Sequence, residues 1–193
     1  GLLTGQNPNR LGIYTYRRPS HSMHLKAEAV TIAEMLKQRN YNTAMFGKWH
    51  LSDLRAPEAP NEQPLPGEQG FDYWLATENN ANPSHLNPTN FVRNGVITDT
   101  IEGYSSHILA QEANSWLDQQ QGNSNPFFLY VPFHEVHKKI ASPDSLIQKY
   151  SEYNNPEYHA NVENLDLAVG KIIAKLKSMG VYQHTLILFS SDN

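Results

Sequence analysis

Three apolar helical patterns, each followed by a short apolar strand pattern, constrain the fold of this 193-residue chain most strongly. The helical patterns lie at about residues 26–39, 109–120 and 162–176. The strand patterns lie at residues 43–46, 127–131 and 185–189. Strands that are apolar on both faces and alternate with helices are typical of parallel sheets covered by helices. The sequence therefore predicts an α/β fold with a mostly parallel central sheet flanked by helices.

Two glycines and one irregular stretch complete this outline. Gly180 stands where a residue in the left-handed conformation would end the third helix, and Gly5 would end a helical tail at the start of the chain. Residues 52–99 are rich in Pro, Asn and Glu and only weakly periodic, which predicts a loop-rich insertion. We expect a single domain over residues 1–193.

Composition disfavours several classes of partner. The net charge of −4 argues against a nucleic-acid-binding protein, because such proteins usually carry a basic patch or a basic excess. No apolar run approaches the ~20 residues that a membrane-spanning helix needs. The chain has no cysteine, which excludes disulfides and thiolate zinc sites within these residues.

Polar and charged side chains follow each predicted strand. In chain order they are Lys48 with His50, His134 with His137, and Asp192 with Asn193. Because ligands bind at the carboxyl ends of strands in open parallel sheets, we expect these groups to share one rim. Lys and His donate charge-assisted hydrogen bonds to oxyanions, and Asp and Asn offer the hard oxygen ligands that calcium or magnesium prefers. The combination predicts a metal-assisted reaction on an anionic substrate.

Each of these groups also has a simpler interpretation. Lys48 alone could be a surface charge, and a terminal Ser-Asp-Asn could form a turn or a helix cap. His134 and His137 have a spacing that zinc ligands also use. Trp49 and Trp74 are interpreted as packing residues. The other histidines lack a partner pattern and are interpreted as surface or structural residues: His21, His24, His85, His107, His159 and His184. The agreement of three strand ends in order and type favours the functional interpretation.

Six short motifs occur in order along the chain. They are Leu2-Leu3-Thr4-Gly5, Gly47-Lys48-Trp49-His50-Leu51, Gly70-Phe71-Asp72-Tyr73, residues 126–137, residues 158–166 and Ser191-Asp192-Asn193. In this order and spacing they resemble the motifs of the sulfatases, arylsulfatase-like enzymes of the alkaline-phosphatase-like superfamily. The resemblance covers nearly the whole chain. It implies an alkaline-phosphatase-like fold, incomplete in this fragment, with residues 1–193 as an internal part of the N-terminal catalytic domain.

The resemblance also implies roles for individual residues. Asp192 and Asn193 would ligate a divalent cation, calcium in most of the family. Lys48 would bind the sulfate and bridge it to the nucleophile. His50 would hydrogen-bond the nucleophile and help to release sulfate from it. His137 would bind the ester side of the sulfate and help to protonate the leaving alcohol. The implied nucleophile is a formylglycine, made from a Cys or Ser outside this chain.

The chain departs from the family pattern at several points. The resemblance places the nucleophile, its Arg, an early pair of metal-binding Asp residues and a late Lys outside residues 1–193. We therefore expect the isolated chain to be an inactive internal piece. Gln6 stands where Arg is common, Ser52 replaces the usual Gly, and Lys139 replaces a frequent Pro. None of these changes removes an implied role, and the last two leave the substrate class open.

Three functions remain open on this basis. The first is a sulfuric ester hydrolase acting on a small-molecule or carbohydrate sulfate ester. The second is a phosphonate monoester or phosphodiester hydrolase of the same superfamily. The third is a sulfatase-like binding protein that has lost its nucleophile. The resemblance implies a periplasmic or secreted location, and the motifs indicate no particular oligomeric state.

Overall fold

A five-stranded sheet lies at the centre of the computed structural model, which describes residues 1–18, 21–54 and 63–191. In chain order its strands are β1 (Asn42–Lys48), β2 (Tyr73–Thr77), β3 (Val92–Arg93), β4 (Val96–Ile97) and β5 (Phe127–Tyr130). Across the sheet the order is β4-β3-β2-β1-β5. β1 pairs in parallel with β2 and with β5, whereas β3 and β4 add an antiparallel edge. The predicted mostly parallel sheet is confirmed.

Four α-helices surround this sheet within the described ranges. They are α1 (Ile32–Lys37), α2 (Ser105–Gln120), α3 (Asp144–Lys149) and α4 (Pro156–Ser178). Short 3-10 turns lie at Pro8–Leu11, Pro66–Gln69 and Tyr182–His184. α2 and α4 confirm two predicted helices, and Gly180 follows α4 with a φ of 73°, as its predicted role in ending the helix requires.

The first helix is shorter than its apolar pattern predicted. It begins at Ile32 rather than near residue 26, because Thr31 caps it. The Thr31 hydroxyl accepts a hydrogen bond from the Glu34 N–H at 3.2 Å, and the Glu34 carboxylate accepts one from the Thr31 N–H at 2.8 Å. This reciprocal pair is a capping box, which fixes where a helix starts.

Side chains alternate between the two faces of β1, and each face has its own core. Ala44 and Phe46 belong to a cluster with α2 and α4 on one face. Met45 belongs to a second cluster on the other face, together with Trp49 and Trp74. Both tryptophans are 3% exposed, which confirms their predicted packing role. In a strand that is buried on both faces, exposed polar residues cannot alternate with buried apolar ones. This explains the continuous strand pattern of residues 43–46.

Residues 52–99 contain a buried strand that the loop-rich interpretation missed. β2 pairs with β1 along its whole length, and its residues 74–76 are at most 3% exposed. Between β1 and β2 the described residues, 49–54 and 63–72, form irregular segments and the turn at Pro66–Gln69, with no helix among them. No helical pattern precedes β2 in the sequence, so the alternation of helices and strands did not predict it.

The third predicted parallel strand, residues 185–189, is wrong for this structure. Residues 185–191 have no regular secondary structure, and Leu186, Leu188 and Phe189 are about 80% exposed. A continuous apolar run favours a strand, but a strand also needs a neighbour to pair with. Asp192 and Asn193, predicted at the end of this strand, lie outside the described residues.

Gly47, within β1, lies where two backbone segments approach closely. Its φ is 132°, and a Cβ there would lie 2.0 Å from the carbonyl oxygen of Pro132. We therefore expect Gly47→Ala to lower the free energy of unfolding by at least about 2 kcal/mol. Urea unfolding of the full-length protein carrying this chain would measure it.

Gly170 provides the matched control for this substitution. It lies on the exposed side of α4 with nothing within 4 Å of its Cβ position. We expect Gly170→Ala to raise the free energy of unfolding by about 0.5–1 kcal/mol, because alanine favours helix. Equal effects of the two substitutions would contradict a rigid contact at Gly47.

Candidate active site

The carboxyl ends of β1, β2 and β5 lie side by side, because the three strands are parallel. Lys48 is the last residue of β1, and its N–H donates to the Pro132 carbonyl beyond β5 at 2.8 Å. The N–H of His50 donates to the Glu78 carbonyl beyond β2, also at 2.8 Å. The segment after β1 is therefore held between the segments that follow its two neighbours.

The predicted residues Lys48 and His50 lie at the end of β1 and directly after it, and His137 lies in the segment after β5, at this same rim. Burial lowers the pKa of His50 most, and the hydrogen bond from its ring to the Arg17 carbonyl opposes that effect. The positive charges of Lys48 and Arg17 lower the pKa further. The His50 ring is consequently neutral at neutral pH and able to accept a proton.

The orientation of His50 is set by a backbone group. Its Nε2 lies 2.7 Å from the Arg17 carbonyl oxygen. A carbonyl only accepts, so Nε2 carries the proton of the neutral ring and Nδ1 is left as the acceptor. The φ of His50 is 53°, in the left-handed region that residues other than glycine rarely adopt. Such strained positions persist where surrounding contacts hold them, and here the hydrogen bonds of His50 with the Glu78 and Arg17 carbonyls do so.

Arg17 is itself held in a buried ion cluster behind His50. Its guanidinium donates to Glu78 Oε1 at 2.9 Å and to Gln63 Oε1 at 3.1 Å, and it forms an ion pair with Asp53. Burial raises the pKa of Glu78, the hydrogen bond with Asp53 raises it further, and Arg17 opposes both. This cluster was not predicted from the sequence, because its members are far apart in the chain and form no local pattern.

His137 is exposed at the rim, with its ring held on one side. Its Nδ1 lies 2.7 Å from the amide nitrogen of Asn80, in the segment after β2. The same Nδ1 lies 3.1 Å from the Lys138 carbonyl oxygen, which can only accept. The shorter contact, with the Asn80 amide nitrogen as donor, makes Nδ1 the acceptor and leaves the ring N–H at Nε2. That proton is available to a bound group. Asn80 was not predicted as a site residue, since it lies in the stretch that was interpreted as loop.

His134 occupies a different environment from His137. It is 2% exposed, its Nε2 lies 2.8 Å from Thr77 Oγ1, and its ring packs against Phe91. Burial lowers the pKa of His134 to about 4, and the neighbouring Glu135 carboxylate only partly opposes this. His134 is therefore a neutral, internal link between β2 and the segment after β5.

The His134 pKa predicts a loss of stability in acid. The folded pKa of about 4 lies below the 6.5 of a free histidine, so the unfolded chain binds this proton first as the pH falls. We expect this histidine to cost up to about 3 kcal/mol of stability between pH 6.5 and pH 4. Urea unfolding across this range should show a shallower pH dependence for His134→Gln than for the wild type. The exposed His184, replaced by Gln, should leave the wild-type slope unchanged, and an unchanged slope in His134→Gln would contradict the prediction.

His85 was interpreted as a surface or structural residue, and the surface alternative is wrong. Its side chain is fully buried, beside the buried carboxylate of Glu135. Both residues are hydrogen-bonded to the start of α2. His85 is also hydrogen-bonded to the segment after β5, in which Glu135 lies. The aromatic and apolar run of β2 is a sequence signal for a strand. Had that strand been recognised, its end would have placed the residues that follow it, His85 among them, near the rim.

The predicted metal ligands Asp192 and Asn193 belong to the part of the chain that the structure does not describe. Within residues 1–18, 21–54 and 63–191, no group of three or more His, Asp or Glu side chains is arranged to hold a metal ion. In the same ranges, no helix combines the length and the apolar character needed to cross a membrane.

Comparison with known proteins agrees with this fold. A sequence model of the sulfatase family matches residues 1–193. The ulvan-active sulfatase of Formosa agariphila is 30% identical and human arylsulfatase A is 29% identical, each over 100% of this chain. The solved structure of Ps i-CgsB in complex with k-i-k-neocarrahexaose is 23% identical, with a TM-score of 0.80 over 94% of this chain and 44% of that one.

The chain belongs to the sulfatase family. Its α/β sheet is that of the alkaline-phosphatase-like fold found in these solved relatives. The chain spans 39% of the ulvan-active sulfatase and 41% of human arylsulfatase A, about two fifths of the length of these relatives.

Proposed function

We propose that residues 1–193 form part of the catalytic domain of a metal-dependent sulfuric ester hydrolase. The observation that carries this proposal is the position of Lys48, His50 and His137 in the segments that follow two neighbouring parallel strands, at one rim of the sheet, in a chain of the sulfatase family. A sulfate ester is an anion whose cleavage needs a cation beside its oxygens and an acid beside its leaving group.

Each of the three side chains has a task suited to its environment. The half-buried Lys48 ammonium binds the sulfate oxygens and neutralises charge that grows on them. His137 donates its Nε2 proton to the ester oxygen as the bond to sulfur breaks. His50, kept neutral by burial, accepts a proton through Nδ1 when sulfate is released.

Two groups outside the described residues complete this proposal. Asp192 and Asn193 offer the hard oxygen ligands that suit a divalent cation, and calcium is the ion we propose. When bound, the cation would polarise the sulfate oxygens, and a formylglycine outside this chain would supply the attacking hydroxyl.

We propose a sulfated carbohydrate as the substrate class. Support comes from the relatives, which include the ulvan-active sulfatase and the dog N-acetylgalactosamine-6-sulfatase, the latter 26% identical over 100% of this chain. The exposed position of His137 also suits a bulky leaving alcohol such as a sugar.

The function is tested by comparing three substrates with the full-length protein: an aryl sulfate, a bis(aryl) phosphodiester and an aryl phosphonate monoester. We expect the highest kcat/KM for the sulfate, loss of turnover after chelation, and recovery on addition of calcium. Faster turnover of the phosphodiester or the phosphonate would make the protein a hydrolase of that class. Sulfate binding without turnover of any of the three would make it a binding protein.

A further inference from the structure

The loop from His134 to Lys139 is anchored by Glu135, a residue that the proposed chemistry does not use. The Glu135 side chain is fully buried. Its Oε1 accepts hydrogen bonds from Ser105 Oγ at 2.6 Å and from the Ser106 N–H at 3.0 Å. These serines begin α2, whose own N-cap residue provides no side-chain cap. Glu135 therefore caps a 16-residue helix from 30 residues away in sequence.

A carboxylate is well suited to this position. The first N–H groups of a helix lack partners within the helix, and the helix dipole favours negative charge at that end. Hydrogen bonds in which one partner is ionised are about twice as strong as neutral ones. The loop after β5 is thus fixed to α2 at its second residue.

His85 fixes the far end of the same loop. Its N–H donates to the Lys139 carbonyl at 3.1 Å, and its carbonyl accepts from the Ser105 N–H at 2.7 Å. The His85 ring lies against Glu135, with Nδ1 3.8 Å from Oε1. Burial lowers the pKa of His85, and the Glu135 carboxylate opposes this. One buried residue thereby joins the end of the loop to the start of α2.

The loop is also held at its first residue, through the bond between His134 and Thr77. Three anchors therefore surround His137, whose own ring is exposed and contacts Asn80. A proton donor must be held to a fraction of an ångström, since a misplacement of about 1 Å can cost about 100-fold in rate. The anchors supply this rigidity while leaving the ring accessible.

We propose that Glu135 is a positioning residue for His137, holding the loop so that Nε2 reaches the leaving oxygen of the substrate. This inference rests on the proposed function, in which His137 protonates that oxygen. Protonation matters most when the leaving group is a poor one, such as an alkyl or sugar alkoxide, and least for a nitrophenolate. Loss of positioning therefore has a kinetic signature that general loss of folded protein does not have.

The test compares an alkyl sulfate with nitrophenyl sulfate in the full-length protein carrying Glu135→Ala. We expect kcat for the alkyl sulfate to fall about 100-fold, kcat for nitrophenyl sulfate to fall by less than about 10-fold, and KM to change little. Glu135→Gln keeps the shape of the side chain and should recover part of the lost activity. Ser105→Ala removes one hydrogen bond and should show the same selectivity at a smaller size, even where Glu135→Ala folds poorly.

Glu157 is the matched control, because it is an exposed glutamate in the first turn of α4. Glu157→Ala should leave both substrates unaffected. His137→Ala calibrates the signature and should be selective for the alkyl sulfate. If it is, and folded Glu135→Ala or Ser105→Ala loses both activities equally, the positioning role of Glu135 is overturned alone. If His137→Ala is itself unselective, the acid role of His137 fails and the inference fails with it.

Discussion

Replacing Lys48 with alanine in the full-length protein is expected to lower kcat/KM for an aryl sulfate by roughly 100- to 1000-fold. Lys48 ends β1, the central parallel strand, and its ammonium lies close enough to His50 and His134 to lower the pKa of both. A charge held at a partly buried rim acts far more strongly on a sulfate oxyanion than it would in water. Steady-state kinetics with an aryl sulfate would measure the loss.

Two further variants sharpen this test. Lys26→Ala removes an exposed lysine that has no role in the proposed chemistry and should leave kcat/KM unchanged. Lys48→Arg keeps the charge but changes its shape, so we expect only partial activity. Full activity in Lys48→Ala, with the fold intact, would contradict the proposed role of this side chain in binding and stabilising the sulfate.

Replacing Arg17 with methionine is expected to lower the free energy of unfolding by about 3–5 kcal/mol. The Arg17 side chain is 2% exposed and is paired with Asp53 and Glu78, whose side chains are 7% and 22% exposed. Without the guanidinium, two carboxylates would face each other at a site from which most water is excluded. Denaturant unfolding of the full-length protein would measure the change.

Arg18 is the natural control for this substitution, because it is the next residue and is exposed. Arg18→Met should change the free energy of unfolding by less than about 0.5 kcal/mol, as is usual for surface positions. If Arg17→Met were no more destabilising than Arg18→Met, the ion cluster behind His50 would not contribute to the fold in the way its burial indicates.

Long periodic segments were the part of this fold that the sequence predicted well. α2 and α4 each contribute an apolar stripe to the core on one face of the sheet, β1 is a buried apolar run and β5 is a half-buried one, so their patterns reflect their surroundings directly. Once these strands were in place, parallel pairing put Lys48, His50 and His137 at one rim. The placement of the side chains therefore follows from strand ends, while their chemical roles remain proposals.

The features that the sequence did not predict, or predicted wrongly, share a physical cause. Each depends on contacts between residues that are distant in sequence. β2 is a strand because β1 and β3 pair with it, and residues 185–189 are not one because no strand pairs with them in the described structure. The anchors formed by Glu135 and His85 are of the same kind, since Glu135 meets Ser105 from 30 residues away. Local patterns carry no information about such partners.

The most direct test of the central claim is the release of inorganic sulfate from an aryl sulfate by the full-length protein, quantified as the sulfate ion itself. The wild type should release sulfate and phenol in equal amounts, and a folded Lys48→Ala, His137→Ala double variant should release neither above background. Equal release of sulfate by both proteins would contradict the account, because catalysis would then lie elsewhere than at this rim.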